Sequence, residues 1–158
     1  MSGLLGERLL LTLWVGSLWA IGYIAVPTAF IHIEDATLAG NYAGQLFSIV
    51  NILGIGCGSV LLLTKIVACG QAVTTLWRFW VMIVMLALTL ILSSYIQPEM
   101  SAIKQLSWQQ DTVLLEQFSF LHAMGKNLYI VISLLGLALV LSTDKLPSTL
   151  ETKSNGQK

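Results

Sequence analysis

The chain has 158 residues, of which 56% are hydrophobic and only 10% are charged, and its formal net charge is zero. Its mean hydropathy is +0.80. A soluble domain carries about a quarter charged residues, so this composition excludes an ordinary soluble protein and indicates the lipid bilayer as the solvent. The balanced charge also argues against a nucleic-acid partner.

Four stretches without charged residues are long enough to cross a bilayer, because a spanning helix needs about 20 apolar residues. They predict an all-α integral membrane protein, a four-helix transmembrane bundle that forms one domain over residues 1–143. Residues 144–158 are polar and lack aromatic side chains, and we expect a disordered cytoplasmic tail there. The predicted spans are residues 8–33, 41–65, 77–97 and 118–142.

The basic residues predict the orientation of this bundle. When the predicted loops are assigned to alternate sides of the membrane, six lysines and arginines fall on the side of both termini. Only Lys104 and Lys126 fall on the other side. The positive-inside rule therefore places both termini in the cytoplasm. In a bacterium the chain would lie in the cytoplasmic (inner) membrane.

Predicted helix 1 contains Pro27, which we expect to kink its outer third. Predicted helix 2 carries the clearest pattern of the sequence, a small-residue stripe with small or polar residues three or four positions apart on one face. Small residues let helix backbones approach closely in lipid, so the stripe predicts a helix-packing seam, and Asn51 within it is expected to find a polar partner. The members of the stripe are Gly40, Gly44, Ser48, Asn51, Gly54 and Gly58.

Pro98 predicts the end of helix 3, since proline lacks a backbone donor and crowds the preceding turn. Residues 99–106 show the three-residue step of a short helix on the outer surface. Residues 107–110, SWQQ, fit a capping box, so helix 4 is expected to run from Trp108 to about Ser142. Such a helix would be about 52 Å long, and its first turns would extend beyond the hydrocarbon on the outer side.

Both histidines, His32 and His122, fall at the same predicted outer interface, and Met124 lies at that level too. Imidazole and thioether groups suit copper or haem iron, so His122, with His32 or Met124, forms a candidate haem or copper site. The alternative is a structural role, because polar residues collect at membrane interfaces in any membrane protein. The structural role is favoured: no cofactor is expected, and haem or copper binding is the competing hypothesis.

No catalytic motif supports an enzymatic function. The sequence lacks a Walker A loop, a G-x-S-x-G elbow, an H-E-x-x-H pair and a dinucleotide-binding glycine set after a strand. The residues therefore favour a non-enzymatic membrane protein that acts through helix packing, with copies of itself in a homo-oligomer or with a larger membrane complex.

Three blocks of the sequence carry a family resemblance. Predicted helix 1 contains Gly22, Pro27 and Phe30, predicted helix 2 opens with Ala39, Gly40, Gly44 and Phe47, and predicted helix 4 opens with Phe118, Leu121 and His122. In these blocks the chain resembles the bacterial domain-of-unknown-function family 4149, which is related to eukaryotic transmembrane protein 205. The chain departs from the family pattern at Gly125 and Lys126, where a serine and an apolar residue are expected.

The resemblance implies a four-helix integral membrane protein of unsettled biochemistry. The eukaryotic relative is associated with drug resistance, and the four-helix layout is similar to that of copper-resistance D proteins and of the haem-binding membrane protoporphyrinogen oxidase. This likeness supports the haem or copper hypothesis by fold analogy only. Lys126 beside His122 counts against a positively charged metal.

Overall fold

The computed structural model describes residues 2–106 and 111–142, and within these ranges the regular structure is entirely helical. Four helices are long and apolar enough to cross a membrane, over Leu5–His32, Ala36–Thr75, Trp77–Lys104 and Thr112–Leu141. For the described residues, this confirms the predicted all-α fold with four helices long and apolar enough to span a membrane.

The first and third helices are each interrupted by a wider turn. Helix α1 comprises Ser2–Ala20, a π-helical turn at Ile21–Ala25, and Val26–His32. Helix α2 covers Ala36–Cys69 and leads into a 3₁₀ turn at Gly70–Thr75. Helix α3 comprises Trp77–Ile91, a second π-helical turn at Leu92–Ile96, and Gln97–Lys104. Helix α4 covers Thr112–Leu141.

Aspartates begin two of these helices. The Asp35 carboxylate accepts hydrogen bonds from the backbone N–H groups of Thr37 and Leu38 at the start of α2. Asp111 accepts from the corresponding N–H groups of α4. The predicted start of helix 4 at Trp108 is therefore wrong, because the extended backbone at Asp111 places the N-cap there. The predicted capping box at 107–110 lies outside the described residues.

Neither membrane proline ends its helix. Pro27 and Pro98 each lie in the first turn after a π-helical turn. In these turns the N–H groups of Val26 and Gln97 bond to the carbonyls five residues earlier, so the hydrogen-bond register has already shifted where the proline N–H is missing. The predicted end of helix 3 at Pro98 is wrong, and residues 99–106 do not form a separate surface helix because α3 continues to Lys104.

The core of the bundle is built around the indole ring of Trp14, which is 0% exposed. A Cβ atom on Gly54 would lie 3.0 Å from Trp14 Cδ1 and closer still to Nε1, and one on Gly58 would lie 3.0 Å from the far edge of the same ring. Asn51, one turn earlier on α2, is 3% exposed. This half of the small-residue stripe is thus an internal contact between α1 and α2.

The other half of the stripe is packed differently. Gly40 lies near Phe30 and Lys104, with a Cβ atom there 4.0 Å and 3.8 Å from their side chains. At Gly44, by contrast, an added Cβ atom would have no neighbour within 4 Å. Gly44 and Ser48 are half-buried. The α2 face around Gly44 therefore has room for a further side chain.

Replacing Gly54 by alanine is expected to destabilise the protein by about 1–3 kcal/mol, the usual cost of an extra methyl group in a packed core. Gly56→Ala is the matched control, because a Cβ atom at Gly56 on the same helix meets nothing within 4 Å. Thermal unfolding in mild detergent, followed by circular dichroism, compares the two variants. Equal unfolding temperatures would contradict the packing of Trp14 on Gly54.

Candidate functional site

A polar cluster joins the four helices at one end of the bundle, and Arg78 is its centre. Arg78 lies in the first turn of α3 and is 5% exposed. Its Nη1 donates to the Leu139 carbonyl at 2.8 Å and to Ser142 Oγ at 2.9 Å, and also reaches the Ser142 carbonyl. A cation is favoured there, because the last carbonyls of α4 carry the negative end of the helix dipole.

The carboxylate of Glu7 completes this cluster. Its Oε1 lies 3.1 Å from Arg78 Nη2, and its Oε2 lies 3.1 Å from Lys65 Nζ on α2. The Arg78 cluster (Glu7, Lys65, Arg78 and Ser142) thus takes groups from α1, α2, α3 and the residue that ends α4. In the sequence, Lys65 and Arg78 are two of the basic residues that predict the orientation, and no pattern predicts a role for Glu7. The sequence does carry a signal for this cluster, because a charged residue such as Arg78 among apolar and aromatic neighbours needs a partner.

A second polar cluster lies between α1 and α4, next to the π-helical turn of α1. The Tyr129 hydroxyl donates to the Leu18 carbonyl at 2.5 Å. A Cβ atom on Gly22 would lie 2.8 Å from Tyr129 Cζ, so the ring requires glycine at this position. Tyr23 Oη and Ser133 Oγ are 2.7 Å apart, and the Phe47 ring meets Tyr129 edge-on at 5.0 Å. These contacts give the motif residue Gly22 a structural role.

The predicted ligand residues lie at the opposite end of the molecule from Arg78. His122 is exposed, and its ring stacks on Phe118 with centroids 6.1 Å apart. His32 is exposed, and its Nδ1 lies 2.9 Å from the Thr28 carbonyl one turn earlier. Met124 is two residues from His122 on α4, and residues so spaced do not share a helix face. His122 and Met124 therefore do not form a ligand pair.

The surroundings of His122 do not suit a cation. Lys126 lies one turn along α4 from His122, and Lys104 Nζ lies 6.0 Å from the centroid of the Phe118 ring that stacks on His122. Among the residues that the structure describes, no three histidine, cysteine, aspartate or glutamate side chains are grouped to hold a metal ion.

The remaining motif residues have mixed surroundings. Leu121 is buried in the core, and Phe118 is half-buried against it. Phe30 and Pro27 are exposed, although the Phe30 ring approaches Gly40. The residues that carry the family resemblance therefore include both core positions and surface positions near the His122 end of the bundle.

Comparison with known proteins gives a family match. The sequence model of the family described as "Domain of unknown function (DUF4149)" matches residues 9–108, most of α1 and all of α2 and α3. Neither the curated proteins nor the solved structures contain a match to the chain.

Arg78→Gln is expected to lower the free energy of unfolding by about 3–5 kcal/mol, because it breaks a buried ion pair with Glu7 and removes the donor to the acceptors at the end of α4. Glu7→Gln should cost less, since Arg78 keeps its bonds to the end of α4. Arg8→Gln, which removes an exposed charge next in sequence to Glu7, is the control. Thermal unfolding in detergent measures all three, and an equal loss for Arg8→Gln would contradict the central position of Arg78.

Proposed function

The chain belongs to the DUF4149 family, and from this premise we propose that it is a non-enzymatic membrane protein acting through helix packing, with a second copy of itself or with a partner membrane complex. The observation that carries the proposal is that the small-residue stripe is covered by a side chain at one end and uncovered around Gly44. Trp14 fills the stripe at Gly54 and Gly58, whereas nothing lies within 4 Å of a Cβ atom at Gly44.

The physical argument concerns how helices associate in lipid. Apolar side chains gain little by moving from lipid to protein, so association depends on close backbone approach and on hydrogen bonds between helices. Gly44 and Ser48 offer a low, half-buried surface, with a hydroxyl one turn from the glycine. A partner helix with a side chain of moderate size fits this surface better than it fits the filled half of the stripe.

Haem or copper binding at His122 is the weaker function. The ammonium group of Lys126, one turn from His122 on α4, opposes a metal cation, and Met124 is on another face of α4. His32 is engaged with the carbonyl of Thr28 on its own helix. We therefore assign no redox step to these residues.

The proposed orientation has the Arg78 cluster at the cytoplasmic face of a bacterial inner membrane. It is supported by the excess of lysine and arginine on that side. From Leu141 at this face, the 19 residues back to His122 span about 29 Å, close to a hydrocarbon thickness of about 30 Å. The ten residues from Thr112 to His122 would then extend α4 by about 15 Å on the outer side. The resemblance of the three sequence blocks also leads us to propose the relation to transmembrane protein 205.

Cysteine crosslinking in native membranes tests the packing surface. In a background with Cys57 and Cys69 replaced by serine, Gly44→Cys is expected to give a disulfide-linked dimer, or a heterologous adduct with a bifunctional reagent. Ile49→Cys is the control, because Ile49 on the same helix is 63% exposed and lies about 140° around α2 from Gly44. Failure of Gly44→Cys to give any adduct, or equal adducts at both positions, would contradict the proposal.

Labelling with a membrane-impermeant maleimide tests the orientation. In the same cysteine-free background, Gln105→Cys is expected to react in intact cells, because it follows the outer end of α3. Gln71→Cys, also exposed, follows α2 at the Arg78 end and is expected to react only after permeabilisation. The reverse pattern would show that both termini lie outside the cytoplasm.

A further inference from the structure

We propose that Lys104, His122 and Lys126, the outer basic cluster, bind a phosphate group, supplied by an anionic phospholipid headgroup or by a soluble phosphate. The cluster combines the end of α3 with the middle of α4. This cluster is separate from the helix-packing surface around Gly44 and Ser48, and the phosphate proposal does not depend on that surface.

The three basic side chains lie around Phe118 and along one face of α4. His122 and Lys126 are four residues apart on α4, so they are neighbours on one helix face. Phe118, one turn earlier, stacks on the His122 ring at 6.1 Å. Lys104 Nζ reaches the same Phe118 ring from α3, at 6.0 Å from its centroid. Phe118 therefore lies next to basic groups of both helices.

Among the described residues, no carboxylate lies within 4 Å of the ammonium group of Lys104 or Lys126. The ion pairs among the described residues are those of Glu7. Its partners are Lys65 and Arg78, at the other end of the bundle. The outer basic cluster thus keeps two positive charges at the edge of a low-dielectric region. An anion is the group that compensates them.

The donors suit a tetrahedral oxyanion. Lys104 Nζ donates to the Gly40 carbonyl at 3.1 Å, which fixes its position and uses one of the three donors of an ammonium group. The remaining lysine donors and an imidazole N–H can bind phosphate oxygens through charge-assisted hydrogen bonds. With Leu141 at one face of the hydrocarbon, His122 is about 29 Å away, at the depth of the opposite headgroups.

Native mass spectrometry of the full chain tests this site. The protein is reconstituted in vesicles of phosphatidylcholine and phosphatidylglycerol, released in mild detergent, and scored for retained phosphatidylglycerol. Replacing both lysines, Lys104→Gln with Lys126→Gln, is expected to reduce retention at least about tenfold, the effect of losing one charge-assisted hydrogen bond. His122→Gln, a change at an exposed side chain that leaves the core intact, should reduce it less. Arg8→Gln at the other end should retain as much as the wild type.

A competition arm distinguishes the two sources of phosphate. Inorganic phosphate is added at constant ionic strength, with chloride as the matched salt. Displacement of phosphatidylglycerol by phosphate but not by chloride identifies a site open to soluble phosphates, whereas retention identifies a headgroup site. Equal phosphatidylglycerol retention by the wild type and the double lysine variant, with no effect of phosphate on either, would overturn the proposal.

Discussion

The bundle depends on the way in which Arg78 is neutralised. A guanidinium group buried at the edge of the hydrocarbon has a high energy unless several acceptors surround it. Here those acceptors come from Glu7 on α1 and from the last carbonyls of α4, and Lys65 on α2 shares the carboxylate. Because one side chain must reach all of these groups, the four helix ends are fixed in register with one another.

Away from that end, aromatic rings facing glycines define how closely the helices approach. Trp14 packs on Gly54 and Gly58, and Tyr129 packs on Gly22. Each ring crosses from one helix to the backbone of another, which gives close contact where hydrophobic burial contributes little. The outer end lacks such a contact at Gly44, and it is also where the basic groups of α3 and α4 remain without a carboxylate partner among the described residues. The two proposals thus concern the less tightly closed half of the molecule.

Much of this fold could be predicted from the sequence, because membrane spans follow from length and hydrophobicity alone. The small-residue stripe was also visible, although its pattern could not show that Trp14 fills only one part of it. Pro98 was misread because a proline pattern does not reveal a preceding π-helical turn. The start of α4 was misplaced since residues 107–110 and Asp111 both carry capping side chains. The pairing of Glu7 with Arg78 joins residues 71 positions apart, and only the three-dimensional arrangement reveals it.

The contact between Trp14 and Gly54 has a consequence for how such sequences can diverge. The space that glycine leaves on α2 is the space that the indole occupies, so neither residue can vary independently without overlap or a void. A larger side chain at position 54 of α2 requires a smaller one at position 14 of α1. The two substitutions must therefore occur together. The two positions thus form one inherited unit, and correlated replacement at this pair is the evolutionary trace that the packing should leave.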